Sequence, residues 1–440
     1  MTTLPKSLIK IIDKLKSNKV NVCVGKSNIK IDVDLLTTNF SKISTLIYLI
    51  LNKFENYFLI FVEGIPYCIM PDASHHLVYK NKNGVSYQKD SECEKCKYCN
   101  ICPGWIEKIK QNARPVAVID LPQEIVFELT NRCNLNCPLC FSAKGSNELP
   151  LERVKVLIDE CVELGIKRVR FTGGEPLLYK DINEVLNYAK SKDLYVVLNT
   201  NASVMNKETE LILKRCVDDI LISFQGYNSD SEKKLTQSTI DFKEKVHTIV
   251  RLNSQINTVR LGTIISRTLI NNFSKYFYLI ESLGINHWGI FRPMFDMDSG
   301  EFNINSKDIL GIMKHIHVKK LQGNDIMIAN PLPFCISEDM DLSHHVLSGA
   351  EFDDGHSRLV VDTKGFLKPS YFIRENLGNS IKDAWEKPFV RKIHSLDYLP
   401  SKCQDCFSLR WCKGGSRHWA KIANNNYFGI DPVMNNNEDK

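Results

Sequence analysis

Ile125-Val126-Phe127-Glu128-Leu129-Thr130-Asn131-Arg132-Cys133-Asn134-Leu135-Asn136-Cys137-Pro138-Leu139-Cys140 joins an apolar, strand-like run directly to a loop with three cysteines. The spacing C-x3-C-x2-C offers a cubane iron-sulfur cluster three thiolates, which leaves its fourth iron open to another ligand. A structural zinc site and three buried thiols are the other readings. Zinc asks for a fourth ligand close by and usually pairs two C-x2-C hairpins, which this loop alone does not supply.

Downstream of the loop, strands and helices alternate. Strand-like runs are expected over 124–130, 166–171, 194–199, 219–224, 258–265 and 286–292, with helix-length segments over 151–164, 181–191, 207–216 and 272–283. Such α/β repetition predicts a parallel sheet with ligands at the carboxyl ends of its strands, either a partial (β/α)6 TIM-like barrel or a doubly wound sheet.

The second diagnostic run, Phe171-Thr172-Gly173-Gly174-Glu175-Pro176, ends the second strand of this series. Two glycines let backbone approach a ligand closely, and the carboxylate can accept from an ammonium group. Asn199-Thr200-Asn201-Ala202 ends the third strand and Ser223-Phe224-Gln225-Gly226 the fourth. Together, the run from Asn131 to Phe141 and the Gly-Gly-Glu-Pro run resemble the radical S-adenosylmethionine (radical SAM) superfamily. That resemblance implies a partial barrel of six β/α units and a [4Fe-4S] cluster on Cys133, Cys137 and Cys140. It also implies SAM on the open iron, with Phe141, Gly173, Gly174, Glu175, Asn201 and Ser223 as its contacts. Relatives commonly read Ser-Leu-Asp-Gly where this chain has Ser223-Phe224-Gln225-Gly226, and Gln225 is read as facing the substrate. Arg292, at the end of the sixth strand, is expected to anchor a carboxylate or to form an ordinary salt bridge.

Both ends of the chain are rich in cysteine. Cys93, Cys96 and Cys102 are spaced C-x2-C-x5-C before Pro103-Gly104, and Cys403, Cys406 and Cys412 repeat that spacing before Lys413-Gly414-Gly415. Cys68 is the expected fourth ligand of the first site, with Cys99 a spare or an alternative, and the metal is an auxiliary iron-sulfur cluster or zinc. The last stretch resembles the SPASM or twitch extension of radical SAM maturases. Ser370 and Ser416 stand where the full SPASM pattern has cysteines, so one cluster is expected here, on Cys403, Cys406, Cys412 and Cys335. Cys23, Cys161 and Cys216 are read as core thiols. The organisation expected is an N-terminal α+β module over 1–118, a radical SAM core over 119–295 and a SPASM/twitch-like domain over 296–440.

The 440 residues are 43% hydrophobic and 25% charged, ordinary for a globular protein, with a net charge of +6. The lysines are dispersed and form no basic stripe, so nucleic acid is not expected as a partner. The longest apolar region, 46–62, is broken by Lys53 and Glu55, so neither a membrane span nor a secretory signal is expected. Fifteen cysteines without such a signal point to a cytoplasmic, metal-binding protein. The resemblance implies reductive cleavage of SAM to a 5′-deoxyadenosyl radical that abstracts hydrogen from substrate, with electrons from a donor such as flavodoxin or ferredoxin. The expected substrate is a peptide or protein side chain, to be cross-linked or epimerised. The alternatives are a dehydrogenase or carbon-skeleton enzyme acting on a small-molecule metabolite or cofactor precursor, and a non-enzymatic iron-sulfur carrier or zinc-binding interaction protein.

Overall fold

The structure, a computed structural model, describes residues 5–25, 28–34, 40–54, 59–66, 70, 77–78, 86–89, 93, 96, 98, 102–104, 120–138, 140, 142, 144–238, 241–294, 300–350 and 353–434. Cys68, Cys99 and Phe141 lie outside these residues. The chain divides into two compact units, one of residues 1–120 with 320–323 and 339–345, the other holding the remainder.

The first unit is a small α+β module. Helix α1 (Lys6–Ser17) buries Leu8, Ile12 and Leu15, the i, i+4, i+7 stripe of an amphipathic helix. Strands β1 (Asn21–Val24), β2 (Asn28–Asp32), β3 (Leu59–Glu63) and β4 (Leu77–Val78) form a sheet in that order. Helix α2 (Phe40–Phe54) adds Ile43, Ile47 and Ile50 to a core shared with Ile29, Ile31, Ile60 and Val62. Cys23 alternates out of this core and is exposed, contrary to the core position expected for it. Cys161 and Cys216 are buried.

In the second unit, strands β5 (Glu124–Glu128), β6 (Arg168–Thr172), β7 (Tyr195–Thr200), β8 (Asp219–Ser223), β9 (Thr258–Ile264), β10 (His287–Phe291) and β11 (Asp325–Ile328) lie side by side in chain order, each parallel to the next. A doubly wound sheet would reverse direction partway across, so the consecutive order selects the singly wound, barrel-like alternative. The connecting helices are α3 (Leu151–Glu163), α4 (Ile182–Ser191), α5 (Lys207–Cys216), α6 (Ser229–Thr236), α7 (Phe242–Asn253), α8 (Arg267–Ser282) and α9 (Ser306–Leu321).

On the other edge, β12 (Arg358–Val361) pairs parallel with β5 and carries the antiparallel β13 (Leu367–Lys368). The alternation therefore continues past residue 296 through α9 and β11, and the C-terminal third shares one sheet with the core.

Strand parity separates two faces. Ile125, Phe127, Val169, Phe171, Val196, Leu198, Ile220 and Ile222 are fully buried and apolar. Their in-register neighbours of opposite parity, Glu124, Arg168, Arg170, Asp219, Arg260 and Arg358, form a charged layer. Glu124 accepts from Arg168 at 2.6 Å and from Arg170 at 2.9 Å, and Asp219 accepts from Arg260 at 2.8 Å. Burial alone would push the Glu124 carboxyl up, but Arg170, Arg358 and Arg168 hold it well below the carboxylate range. Ser223 shares this parity with Asp219 at the opposite, carboxyl end of β8.

Candidate functional site

The cysteine loop leaves β5 through a tied neck. Asn131 N donates to Asn147 O at 2.8 Å and Leu149 N to Leu129 O at 2.8 Å, flanking an isolated bridge between Thr130 and Glu148. Arg132 closes the neck with an ion pair to Glu148 at 2.5 Å and a bond to Leu178 O. A loop of about fifteen residues with fixed ends pays less closure entropy on ordering than a free one.

The Gly173-Gly174 turn packs on this neck. Gly174 N donates to Thr130 O at 2.6 Å and Glu175 N to Arg132 O at 2.8 Å. A Cβ on Gly173 would lie 2.4 Å from Thr130 O, and one on Gly174 2.2 Å from Arg132 O. The visible reason for both glycines is this backbone-to-backbone approach, a partner the sequence reading did not name.

Glu175 is fully buried and already satisfied. Its carboxylate accepts from Thr200 Oγ1 at 2.6 Å, Asn201 N at 2.7 Å and Leu177 N at 3.2 Å. Burial pushes its pKa up, against the pull of these donors. Asn201 continues the chain of contacts, donating from Nδ2 to Asn134 Oδ1 at 3.1 Å and approaching Cys133 Sγ at 3.9 Å. Asn134 in turn donates to Ser203 Oγ at 2.7 Å. Sequence reading missed Arg132, Asn134 and Thr200, whose signal is only their position beside the glycine and cysteine runs.

Cys133, Cys137 and Cys140 share one electrostatic neighbourhood. Burial pushes the Cys137 thiol up to about 11, with Cys140 and Cys133 adding to it, and Cys133 is raised by burial, Glu175 and Cys140. Leu135 N donates to Cys133 Sγ at 3.4 Å, the kind of donor that stabilises a thiolate. Among the described residues no three such side chains close to metal-ligating distance around one point. The donor set nevertheless fits a cluster: the three thiols sit close enough to disfavour one another's ionisation, and a metal would relieve the cost of ionising them together.

The β8 exit is a second built feature. Gln225 Oε1 accepts from Ile264 N at 2.9 Å, and Nε2 donates to Gly262 O at 3.1 Å and Ser223 Oγ at 3.0 Å. The amide expected to face substrate is therefore engaged with β8 and β9. Glu232 Oε2 accepts from Gln225 N at 3.1 Å and Gly226 N at 2.6 Å, while Oε1 pairs with the buried Lys245. Gln237, which caps α6, accepts from Asn136 of the cysteine loop at 2.9 Å. Arg292 takes the salt-bridge alternative, pairing with the buried Asp431 at 2.9 Å.

Each cysteine-rich end reuses one device. Gly104 N donates to Cys102 Sγ at 3.4 Å, and Phe334 N to Cys412 Sγ at 3.4 Å, with Gly414 N–H also holding the Cys412 thiol down. Burial outweighs these donors and pushes Cys412 to about 12. Cys335 lies in the electrostatic neighbourhood of both Cys403 and Cys412, and Cys406 in that of Cys403. Cys93 and Cys96 stand likewise to Cys102.

A consecutive parallel sheet with a three-cysteine loop at the carboxyl end of its first β/α strand defines a barrel-type α/β protein with a candidate metal centre at its strand ends. Residues 127–268 match the Radical SAM superfamily model. It is 29% identical over 347 residues to an AdoMet-dependent heme synthase of Methanosarcina barkeri, covering 72% of this chain and 97% of that protein. It is 22% identical to a PqqA peptide cyclase of Gluconobacter oxydans, covering 71% and 90%. In fold it is similar to SuiB of Streptococcus suis bound to precursor peptide SuiA, with TM-score 0.59, 16% identity and coverage of 72% and 77%.

Proposed function

We propose that this protein is a radical SAM maturase that modifies a peptide or protein side chain. The observation that carries the reading is the tied neck, which anchors the loop of three electrostatically coupled thiols against the Gly173-Gly174-Glu175 turn at the carboxyl end of the sheet. Cys133, Cys137 and Cys140 would hold the [4Fe-4S] cluster, and Gly173, Gly174, Glu175, Asn201, Ser223 and Phe141 would contact SAM. When bound, the cluster and SAM supply the electron and the 5′-deoxyadenosyl radical that abstracts hydrogen from a C–H bond. The chain's own residues orient and shield: Arg132 and Glu148 hold the loop, and Glu175 fixes Thr200 and Asn201 beneath it.

The peptide substrate is supported by the PqqA peptide cyclase relative and by SuiB, solved with its precursor peptide. Cys335, Cys403, Cys406 and Cys412 would hold an auxiliary cluster. Cys93, Cys96 and Cys102, with Cys68, would hold a second cluster or zinc. A flavodoxin or ferredoxin would supply the electrons, and the cytoplasm is the setting these cofactors suit. Anaerobic co-expression with short peptides encoded beside the protein's own gene tests the substrate: a peptide that loses a pair of hydrogens or gains a D-residue supports the reading, and turnover of a tetrapyrrole instead overturns it.

A further inference from the structure

The residue at 225 has every polar group committed. Its backbone N–H goes to Glu232 at 3.1 Å, and its carbonyl accepts from Tyr276 OH at 2.5 Å. The side-chain amide is held by two backbone groups of known polarity, an N–H at Ile264 and a C=O at Gly262. That pair fixes which end is oxygen and which is nitrogen, because a flipped amide would set donor against donor and acceptor against acceptor. The nitrogen therefore points its second hydrogen at Ser223 Oγ, 3.0 Å away.

A hydroxyl that receives a hydrogen bond from Gln225 must place its own hydrogen elsewhere. Among the described residues Ser223 has no acceptor for it. Ser223 is half-buried, at the carboxyl end of β8 and on the same strand face as Asp219, Arg260 and Gly262. A carboxylate at 225, acceptor-only, would take that hydrogen for itself.

We propose that Gln225 is a positioning residue that turns Ser223 into an outward-facing hydrogen-bond donor for an acceptor oxygen of the bound cofactor, a carboxylate or ribose oxygen of SAM. The proposal rests on the radical SAM reading above. It assigns Gln225 a role through Ser223 rather than through the substrate, and it fixes the direction of the Ser223 contact.

The test is a double-mutant cycle read by spectroscopy. SAM is titrated anaerobically into reconstituted, reduced protein, and affinity is taken from the change in the electron paramagnetic resonance signal of the cluster. Ser223→Ala and Gln225→Glu should each weaken SAM binding roughly tenfold, the range for one hydrogen bond in a partly dry site. The double variant should be no weaker than Ser223→Ala alone, since both changes remove one and the same donor. Gln225→Met, which removes the orienting donor without adding a competing acceptor, should lose thermal stability and weaken SAM binding only about threefold, between wild type and Gln225→Glu, because Ser223 keeps its hydrogen but loses the partner that aims it. Additive losses, or a Gln225→Met variant as weak as Gln225→Glu, would mean a merely structural role and overturn the proposal. Wild-type protein that carries the cluster yet shows no signal change with SAM overturns the cofactor reading itself, and the proposal with it.

Discussion

Arg292, just past the end of β10, donates through both terminal nitrogens to Asp431, 139 residues later, at 2.9–3.2 Å. Both side chains are buried, and Asp431 Oδ2 also accepts from Ser416 N at 2.9 Å. One carboxylate thus ties the carboxyl end of a core strand to the segment that follows Cys412-Lys413-Gly414-Gly415. The guanidinium additionally lies 4.6 Å from the Trp419 ring centre.

Asp431→Ala leaves that guanidinium buried without its carboxylate. The loss should be about 3–5 kcal/mol of stability, seen as a lowered thermal midpoint of the apoprotein. A cost near that of a surface pair, below about 1 kcal/mol, would show the tie to be dispensable.

Gly174→Ala should strip the central loop. Its Cβ would sit 2.2 Å from Arg132 O, so either the turn or the neck must shift. Reconstituted Gly174→Ala should lose the iron assigned to Cys133, Cys137 and Cys140 while keeping iron or zinc at the chain ends. Gly145→Ala, whose nearest contact would be Asn131 Cβ at 3.9 Å, should bind metal as wild type does. Equal metal content in the two variants contradicts the packing role.

The charged layer sets a pH dependence. Because the Glu124 pKa is depressed when folded, its stabilisation is present above the unfolded carboxylate value of about 4.3 and disappears as pH falls toward the folded one. Glu124→Gln should cost roughly 3 kcal/mol at pH 7, and this cost should shrink steadily in denaturant titrations below about pH 4. Asp353 runs the other way: burial pushes it up to about 6, so it gives up stability as pH rises from about 4 toward 6. Comparing wild type with Glu124→Gln at each pH cancels that second effect. A pH-independent difference would contradict the assignment.

The sequence carried local structure well and distant pairing poorly. The six strand-like runs and the helices at 151–164, 181–191 and 207–216 lie within a few residues of β5 to β10 and α3 to α5, because each is an apolar period bounded by turns. The helix expected from residue 272 begins instead at Arg267, capped by Ser266, and kinks at Asn272. β12 and β13 form a local hairpin of two apolar runs, but its parallel docking on β5 joins residues more than two hundred positions apart and leaves no local trace. Buried Ile309, Ile312, Met313 and Ile316 mark α9 at helical spacing, a signal present in the chain that the reading passed over.

At the candidate site the residue types were legible and their partners were not. The three cysteines and the glycine run stand out by composition. That the glycines meet Thr130 and Arg132, that Gln225 turns to Gly262 and Ile264, and that Arg292 meets Asp431 all depend on which strands become neighbours. Cys23 was misplaced because a four-residue strand at a sheet edge has one face in water, and its apolar neighbours hide that alternation.

The central claim is that Cys133, Cys137 and Cys140 hold a cluster that reduces SAM. The most direct measurement is 5′-deoxyadenosine formation from SAM by anaerobically reconstituted protein with dithionite, alongside a variant with all three cysteines changed to alanine. The account predicts 5′-deoxyadenosine from wild type and none from the variant, which should still retain metal at the chain ends. Iron-loaded wild-type protein that makes no 5′-deoxyadenosine, or a variant that makes as much as wild type, would contradict it.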